Sequence, residues 1–104
     1  MDINFVRQAA DYVLERLQDT PTIGLILGSG LGGIATHIEQ AVKIPYADIP
    51  HFAVSTAPGH AGCFVAGRLG GKSVICMQGR LHFYEGHSMQ DIIFPIRVMK
   101  LLGV

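Results

Sequence analysis

The apolar residues of this chain change their spacing from one segment to the next. Near the amino terminus they recur every three or four residues, at Val6, Ala9, Ala10, Val13, Leu14 and Leu17. This spacing predicts an amphipathic helix over residues 3–18. Near the carboxyl terminus a second helical stripe consists of Ile92, Ile96, Met99 and Leu102. Ser88, with Asp91 three residues later, is typical of a helix start, and Pro95 either kinks this helix or begins it.

Between the two predicted helices the apolar residues form short continuous runs. Four of these runs predict strands, over residues 22–27, 42–46, 62–68 and 73–78. The connection at residues 69–72, which contains two glycines, is short enough for an antiparallel hairpin. A short helix is predicted over residues 31–39, and the rest of 41–61, with its three prolines, is predicted to be mostly loop. The pattern indicates an α/β fold with a mixed sheet and flanking helices.

Composition limits the domain count and the classes of partner. A chain of 104 residues has room for one domain, and no internal repeat divides it. Only 15% of the residues are charged, so we expect another subunit or further sequence to cover part of the surface. Eight basic residues balance eight acidic ones without a run of either sign, which argues against nucleic acid as a partner.

No apolar run is long enough to span a membrane, and the amino terminus does not resemble a signal peptide, so a cytoplasmic location is expected. Cys63 and Cys76 lie in apolar runs, where they are most simply small buried residues in a reducing compartment. The five histidines lack the paired spacing of metal ligands, and no metal site is predicted.

A glycine-rich segment at residues 28–33 follows the first predicted strand. Glycines let backbone amides approach an anion, a following helix start adds partial positive charge, and Ser29 adds a hydroxyl donor. The same glycines can equally serve only to make a sharp turn. They also satisfy G-x-G-x-x-G, which raises a dinucleotide-binding module as an alternative; Asp48 has the required distance for the ribose-binding acidic residue but follows Pro45.

A second candidate for anion binding is the segment at residues 79–86. If this segment is extended, Arg80, His82 and Tyr84 share one face. A guanidinium, an imidazole and a phenol together suit an oxyanion held beside a sugar. The alternative is an ordinary amphipathic edge strand with one face in water.

Four motifs occur in order along the chain, at residues 28–33, 55–62, 79–86 and 94–97. Their sequence and spacing closely resemble those of the trimeric-type purine nucleoside phosphorylases, from about Ile23 to Val104. The resemblance implies the mixed-sheet nucleoside phosphorylase fold, with residues 1–104 as the amino-terminal portion of a single domain. It also implies an enzyme that forms a homotrimer.

The resemblance further implies a reaction and roles for six residues. The reaction is the reversible phosphorolysis of purine ribonucleosides and deoxyribonucleosides to free base and pentose 1-phosphate, with inorganic phosphate as co-substrate and no cofactor. Family members of this branch favour inosine and guanosine. The implied catalytic residues are His82 and Glu85, and Tyr84 contacts the sugar. The implied phosphate ligands are Ser29, His60, Arg80 and His82.

The chain departs from this family in length, because it has less than half the residues such enzymes need. In the family, the base-recognising residues and much of the central sheet lie beyond the region matched here. We therefore expect an apparently truncated fold that holds half a site and is inactive alone. The alternative remains a stand-alone module that binds phosphate or a dinucleotide.

Overall fold

The computed structural model describes residues 3–27, 32–52, 62–79 and 89–104. Two helices flank four strands: α1 (Ile3–Leu14), β1 (Ile23–Leu27), β2 (Glu39–Pro45), β3 (Cys63–Leu69), β4 (Lys72–Gln78) and α2 (Met89–Leu102). Short 3₁₀ helices span Gly32–His37 and Tyr46–Asp48. The four strand predictions are confirmed to within a few residues at each end.

The strands form one sheet in the order β1-β4-β3-β2. β1 is parallel to β4, whereas β4 and β2 are both antiparallel to β3. The mixed sheet predicted from the sequence is thus confirmed. The predicted β3–β4 hairpin is also present, and Gly70 and Gly71 at its turn have φ angles of +60° and +80°. Positive φ at both central residues defines a type I′ turn, which matches the twist of the two strands.

Helix α1 buries one stripe of side chains, formed by Val6, Ala9, Ala10 and Val13, as the spacing predicted. The helix ends at Leu14, four residues earlier than predicted. The amides of Arg16 and Leu17 there bond to carbonyls only three residues back, at 3.0 and 3.2 Å. The Arg16 guanidinium also donates to the carbonyl of Tyr12 at 2.8 Å, so the side chain satisfies a group that a longer helix would have used.

Both faces of the sheet carry buried side chains. On one face, α1 and α2 cover a large cluster that includes Ile44, Phe64, Ile75 and Met77. On the other face a smaller cluster comprises Ile38, Val65, Val74 and Cys76. Four consecutive residues of β4, from Val74 to Met77, are therefore buried. This explains why the β4 sequence is a continuous apolar run and does not alternate.

The stripe predicted for helix α2 is confirmed at Met99 and Leu102, but the rest of the buried face differs from the prediction. Its buried residues are Phe94, Pro95, Val98, Met99 and Leu102, whereas Ile96 of the predicted stripe is 44% exposed. The ring of Phe94 meets that of Phe52 edge-on at 5.5 Å, and this contact lies on the buried face. Pro95 lies inside the helix and does not begin it. Ser88, the predicted cap, lies outside the described residues.

Two further predictions need correction. The predicted helix at residues 31–39 is a 3₁₀ helix, Gly32–His37, and Glu39 already belongs to β2. In the region predicted to be mostly loop, β2 is longer than expected, and Tyr46–Asp48 forms a 3₁₀ turn. A bulge between Glu39 and Val42, with Gln40 at a φ of +54°, accommodates the extra residues of β2. Among the described residues, no helix has the length and apolar character needed to cross a membrane.

Candidate functional site

The six residues predicted to form the site lie outside the described residues. They are Ser29, His60, Arg80, His82, Tyr84 and Glu85. The structure does describe the residues on either side of the three segments that carry them, numbered 28–31, 53–61 and 80–88. The roles of the six residues therefore stay predictions, whereas the points at which their segments join the sheet are observed.

All three segments join the sheet at the same edge, the one at which β1 and β4 end and β3 begins. Leu27, the last residue of β1, is paired with Gln78, the last residue of β4. Gln78 is in turn paired with Cys63, the first residue of β3, because β3 runs in the opposite direction. Neighbouring strands lie about 4.8 Å apart, so the three attachment points span roughly 10 Å. The sheet thus brings together the attachment points of three segments that are far apart in sequence.

This edge has the location at which α/β proteins bind ligands. The carboxyl ends of the parallel strands β1 and β4 both lie there. In open α/β sheets, ligands bind outside the carboxyl ends of parallel strands, where loops are held by a rigid scaffold. The topology supports the grouping of the glycine-rich segment with residues 79–86 that the motifs predicted.

Tyr46 lies beneath this edge and contacts two of the attachment points. Its hydroxyl donates a 2.9 Å hydrogen bond to the carbonyl of Gly79, the residue before segment 80–88. Its backbone amide donates at 3.1 Å to the carbonyl of Gly62, the residue after segment 53–61. Only 4% of Tyr46 is exposed. Burial, with a smaller contribution from Cys63, raises the pKa of the phenol, so the hydroxyl stays a donor at neutral pH.

An aromatic cluster surrounds Tyr46. The Tyr46 ring lies 5.4 Å from that of Phe52 and 5.3 Å from that of Phe64, with the Phe64 contact edge-on. Phe52 also meets Phe64 and Phe94 edge-on, at 5.6 and 5.5 Å. Such contacts stabilise beyond the area they bury. Phe52 directly precedes segment 53–61, so the cluster joins the start of that segment to β3 and α2.

The sequence analysis did not identify Tyr46 or Phe52 as parts of the site, and it included Gly62 and Gly79 only as end residues of their motifs. Tyr46 ends the strand predicted over residues 42–46, and Phe52 lies in the following stretch that its prolines led us to regard as loop. Their aromatic character in a proline-rich segment was the available signal, because an aromatic side chain in a loop usually packs against a core. The tyrosine bond to Gly79 spans 33 residues and has no local signature.

The cysteines are buried thiols without a disulfide. Cys76 is fully buried and Cys63 is half-buried, so the interpretation as small packing residues is confirmed. Burial raises the pKa of both thiols, although Lys43 partly offsets the shift at Cys63. The Cys63 thiol contacts Gln78 Oε1 at 3.7 Å. A protonated thiol is a weak nucleophile, so neither residue has the character of a catalytic cysteine.

Two of the five histidines, His37 and His51, are described, and both are exposed. His51 stacks on Phe5 of α1, with ring centroids 3.9 Å apart, and its Nε2 lies 2.6 Å from Gln8 Oε1. This contact ties α1 to the chain just before segment 53–61. Within the described parts of the chain, no three His, Cys, Asp or Glu side chains are grouped so as to hold a metal ion.

The topology does not match the dinucleotide-binding alternative. That fold places the second strand of its βαβ unit beside the first and parallel to it. Here β1 and β2 are the two outermost strands of the sheet, with β4 and β3 between them. Asp48 follows β2 in a 3₁₀ turn and is exposed there. The candidate acidic residue therefore follows a strand that is separated from β1 by two others, whereas the dinucleotide-binding fold needs it after the neighbouring strand.

Residues 22–104 match the family model described as the phosphorylase superfamily. The chain therefore belongs to that superfamily, and the resemblance predicted from its motifs is confirmed. It is 57% identical over 104 residues to purine nucleoside phosphorylase 1 of Geobacillus stearothermophilus, an alignment that covers 100% of this chain and 38% of that protein.

Solved structures show the same relationship. Isoform 2 of purine nucleoside phosphorylase from Schistosoma mansoni, in complex with cytosine and ribose-1-phosphate, is 50% identical with a TM-score of 0.92. Purine nucleoside phosphorylase of the same organism, in complex with inosine, is 42% identical with a TM-score of 0.90. Each comparison covers 99% of this chain and 36% of the solved chain. The chain thus spans a little over a third of the relatives that it matches.

Proposed function

We propose that this chain is part of a purine nucleoside phosphorylase, and that residues 1–104 correspond to the amino-terminal portion of its single domain. The observation that carries the proposal is that Leu27, Cys63 and Gln78, which lie next to or near segments 28–31, 53–61 and 80–88, are paired at one edge of the sheet. Relatives of known structure bind inosine and ribose-1-phosphate, which are a substrate and a product of such a reaction.

The proposed reaction transfers a pentosyl group from a purine to phosphate. An oxygen of phosphate forms a bond to the anomeric carbon while the bond from this carbon to the purine nitrogen breaks. The electron pair of the broken bond leaves with the base, which takes up a proton. Positive charge builds on the sugar as the bond breaks, so a correctly held phosphate dianion stabilises the transition state as well as attacking it.

The candidate residues divide this work. Arg80 binds two phosphate oxygens through its planar guanidinium, and Ser29 donates its hydroxyl to another. His60 and His82 donate further hydrogen bonds to phosphate. Glu85 helps to order the phosphate pocket, and His82 and Glu85 are the catalytic residues of this proposal. Tyr84 contacts the sugar. These groups are the share of the phosphate and sugar site that this chain supplies, and the proposal includes no cofactor.

We also propose a homotrimer in the cytoplasm that favours inosine and guanosine. Support for an assembly comes from the low fraction of charged residues, 15%, and from the apolar side chains exposed on β1 and α2. The two free thiols suit a reducing compartment.

The test uses the complete product of the gene that encodes this chain, together with the 104-residue chain. Its intact mass and sedimentation give its length and its assembly state. We expect the complete product to release hypoxanthine from inosine only when phosphate is present, and the 104-residue chain to be inactive. Equal release without phosphate indicates hydrolysis and contradicts the proposal.

A pair of variants tests the proposed phosphate clamp. Arg80→Ala removes charge-assisted hydrogen bonds that strengthen in the transition state, and we expect kcat/KM to fall about 10²- to 10³-fold. Arg7→Ala, which removes an exposed guanidinium from α1, is the matched control and is expected to leave kcat/KM unchanged. Normal turnover by the Arg80 variant shows that another group binds phosphate.

A further inference from the structure

Tyr46 makes contacts with three of the points from which the proposed site segments start or end. Its ring lies against Phe52, directly before segment 53–61, and its amide bonds to the carbonyl of Gly62, directly after it. Its hydroxyl bonds to the carbonyl of Gly79, directly before segment 80–88. One buried residue thus touches both ends of the segment that carries His60 and the start of the segment that carries Arg80 and His82.

The surrounding packing keeps Tyr46 in place. Phe64 is 0% exposed and contacts the Tyr46 ring edge-on at 5.3 Å. Phe52 links the same cluster to Phe94 of α2, the helix that follows segment 80–88. The ring therefore cannot turn without displacing neighbours that are themselves packed. A fixed ring fixes the position of its hydroxyl and of the Gly79 carbonyl that accepts from it.

We propose that Tyr46 is a positioning residue that fixes the separation of Gly62 and Gly79. These two residues adjoin the segments that carry the proposed phosphate ligands His60, Arg80 and His82. The inference rests on the proposed function, because it takes these three residues as phosphate ligands. A ligand held from two segments is bound tightly only when the segments keep the right separation. Tyr46 touches no substrate in this assignment and acts through Gly62 and Gly79.

The hydroxyl is the part of Tyr46 that joins the two segments. A phenylalanine at this position would keep the ring contacts to Phe52 and Phe64 but would leave the Gly79 carbonyl without its side-chain donor. Tyr46→Phe therefore separates the positioning role from the packing role of the same side chain.

The experiment measures steady-state kinetics of the complete gene product with Tyr46→Phe, using inosine and phosphate. Loss of one buried hydrogen bond corresponds to about a two- to tenfold effect, which we expect mainly as a raised KM for phosphate. The KM for inosine and kcat should change less. Tyr12→Phe removes a hydroxyl from a tyrosine of α1 and is the matched control, expected to match the wild type. Thermal unfolding monitored by circular dichroism checks that both variants are folded at the assay temperature.

A double-mutant cycle with His60→Ala tests whether Tyr46 acts through segment 53–61, which carries His60. If it does, Tyr46→Phe raises the phosphate KM less in the His60→Ala background than in the wild type. Equal effects in both backgrounds, or an unchanged phosphate KM with only a lower melting temperature, overturn the inference while leaving the proposed function standing. If the wild-type product does not cleave inosine, the proposed function is wrong. Equal phosphate affinities of the wild type and Tyr46→Phe, measured by calorimetry, then overturn the inference as well.

Discussion

Gly62 lies where the Tyr46 ring packs directly against the backbone. A Cβ atom at this position would be 2.6 Å from Tyr46 Cε2 and 3.0 Å from the carbonyl oxygen of Gln78. The first of these separations is well inside van der Waals contact, and the second neighbour is backbone of the paired strand. Glycine is therefore required here for close approach, not for an unusual backbone angle.

We expect Gly62→Ala to lower the free energy of unfolding by about 1–3 kcal/mol, because the added methyl group overpacks a rigid contact. Gly33→Ala is the matched control, since a Cβ there has no neighbour within 4 Å. The control should be neutral or slightly stabilising through its effect on the unfolded chain. Urea unfolding followed by circular dichroism measures both variants.

If Gly62→Ala and Gly33→Ala unfold at the same urea concentration, the close approach of the Tyr46 ring to Gly62 is wrong. A loss of stability confined to Gly62→Ala supports the position of the ring on which the inference about Tyr46 depends. The activity of Gly62→Ala against the wild type adds a second comparison, because a displaced ring should also raise the KM for phosphate.

At the level of elements, the β3–β4 hairpin is the part of the sheet that local sequence specifies most strongly. Its turn consists of Gly70 and Gly71 alone, both at positive φ. A Cβ atom at Gly70 has no neighbour within 4 Å, so only the backbone conformation limits which residue is accepted. Its φ of +60° lies in the left-handed region, which asparagine enters at low cost and β-branched residues avoid.

We expect Gly70→Asn to raise the free energy of unfolding by about 0.5 kcal/mol, because asparagine restricts the unfolded chain and suits the type I′ turn. Gly70→Val should lower it by about 1–2 kcal/mol, because valine is strained at this φ. Thermal unfolding ranks the two variants against the wild type. The opposite order would show that the turn has another conformation.

The elements that sequence predicted well are those whose signals are local. The hairpin follows from two glycines between two apolar runs, and α1 follows from its helical spacing. The buried face of α2 was predicted only in part, because the burial of Phe94 depends on its contact with Phe52, which no spacing reveals. The motifs indicated His60 and Arg80 because each motif is a short run of neighbouring residues. Tyr46 was not predicted, because its hydrogen bond joins residues 33 positions apart.

For the whole molecule, β1 is the strand most open to association. Among the described strands it pairs only with β4, so its other side presents unpaired backbone groups. Ile23 and Ile26 are 39% and 43% exposed, and they alternate to opposite faces of the strand. An apolar edge strand without a charged side chain is a site for pairing with another chain.

We expect the 104-residue chain, expressed alone, to self-associate at about micromolar concentrations and above. Ile26→Lys places a charge on the open strand and should shift the chain towards a monomer, because a buried ammonium opposes strand pairing. Ile3→Lys adds the same charge on α1, at a residue 62% exposed, and should leave association unchanged. Sedimentation velocity over a concentration series distinguishes them. A wild-type chain that stays monomeric throughout would show that β1 does not associate. Equal effects of the two lysines would show that net charge, and not the position on β1, controls association.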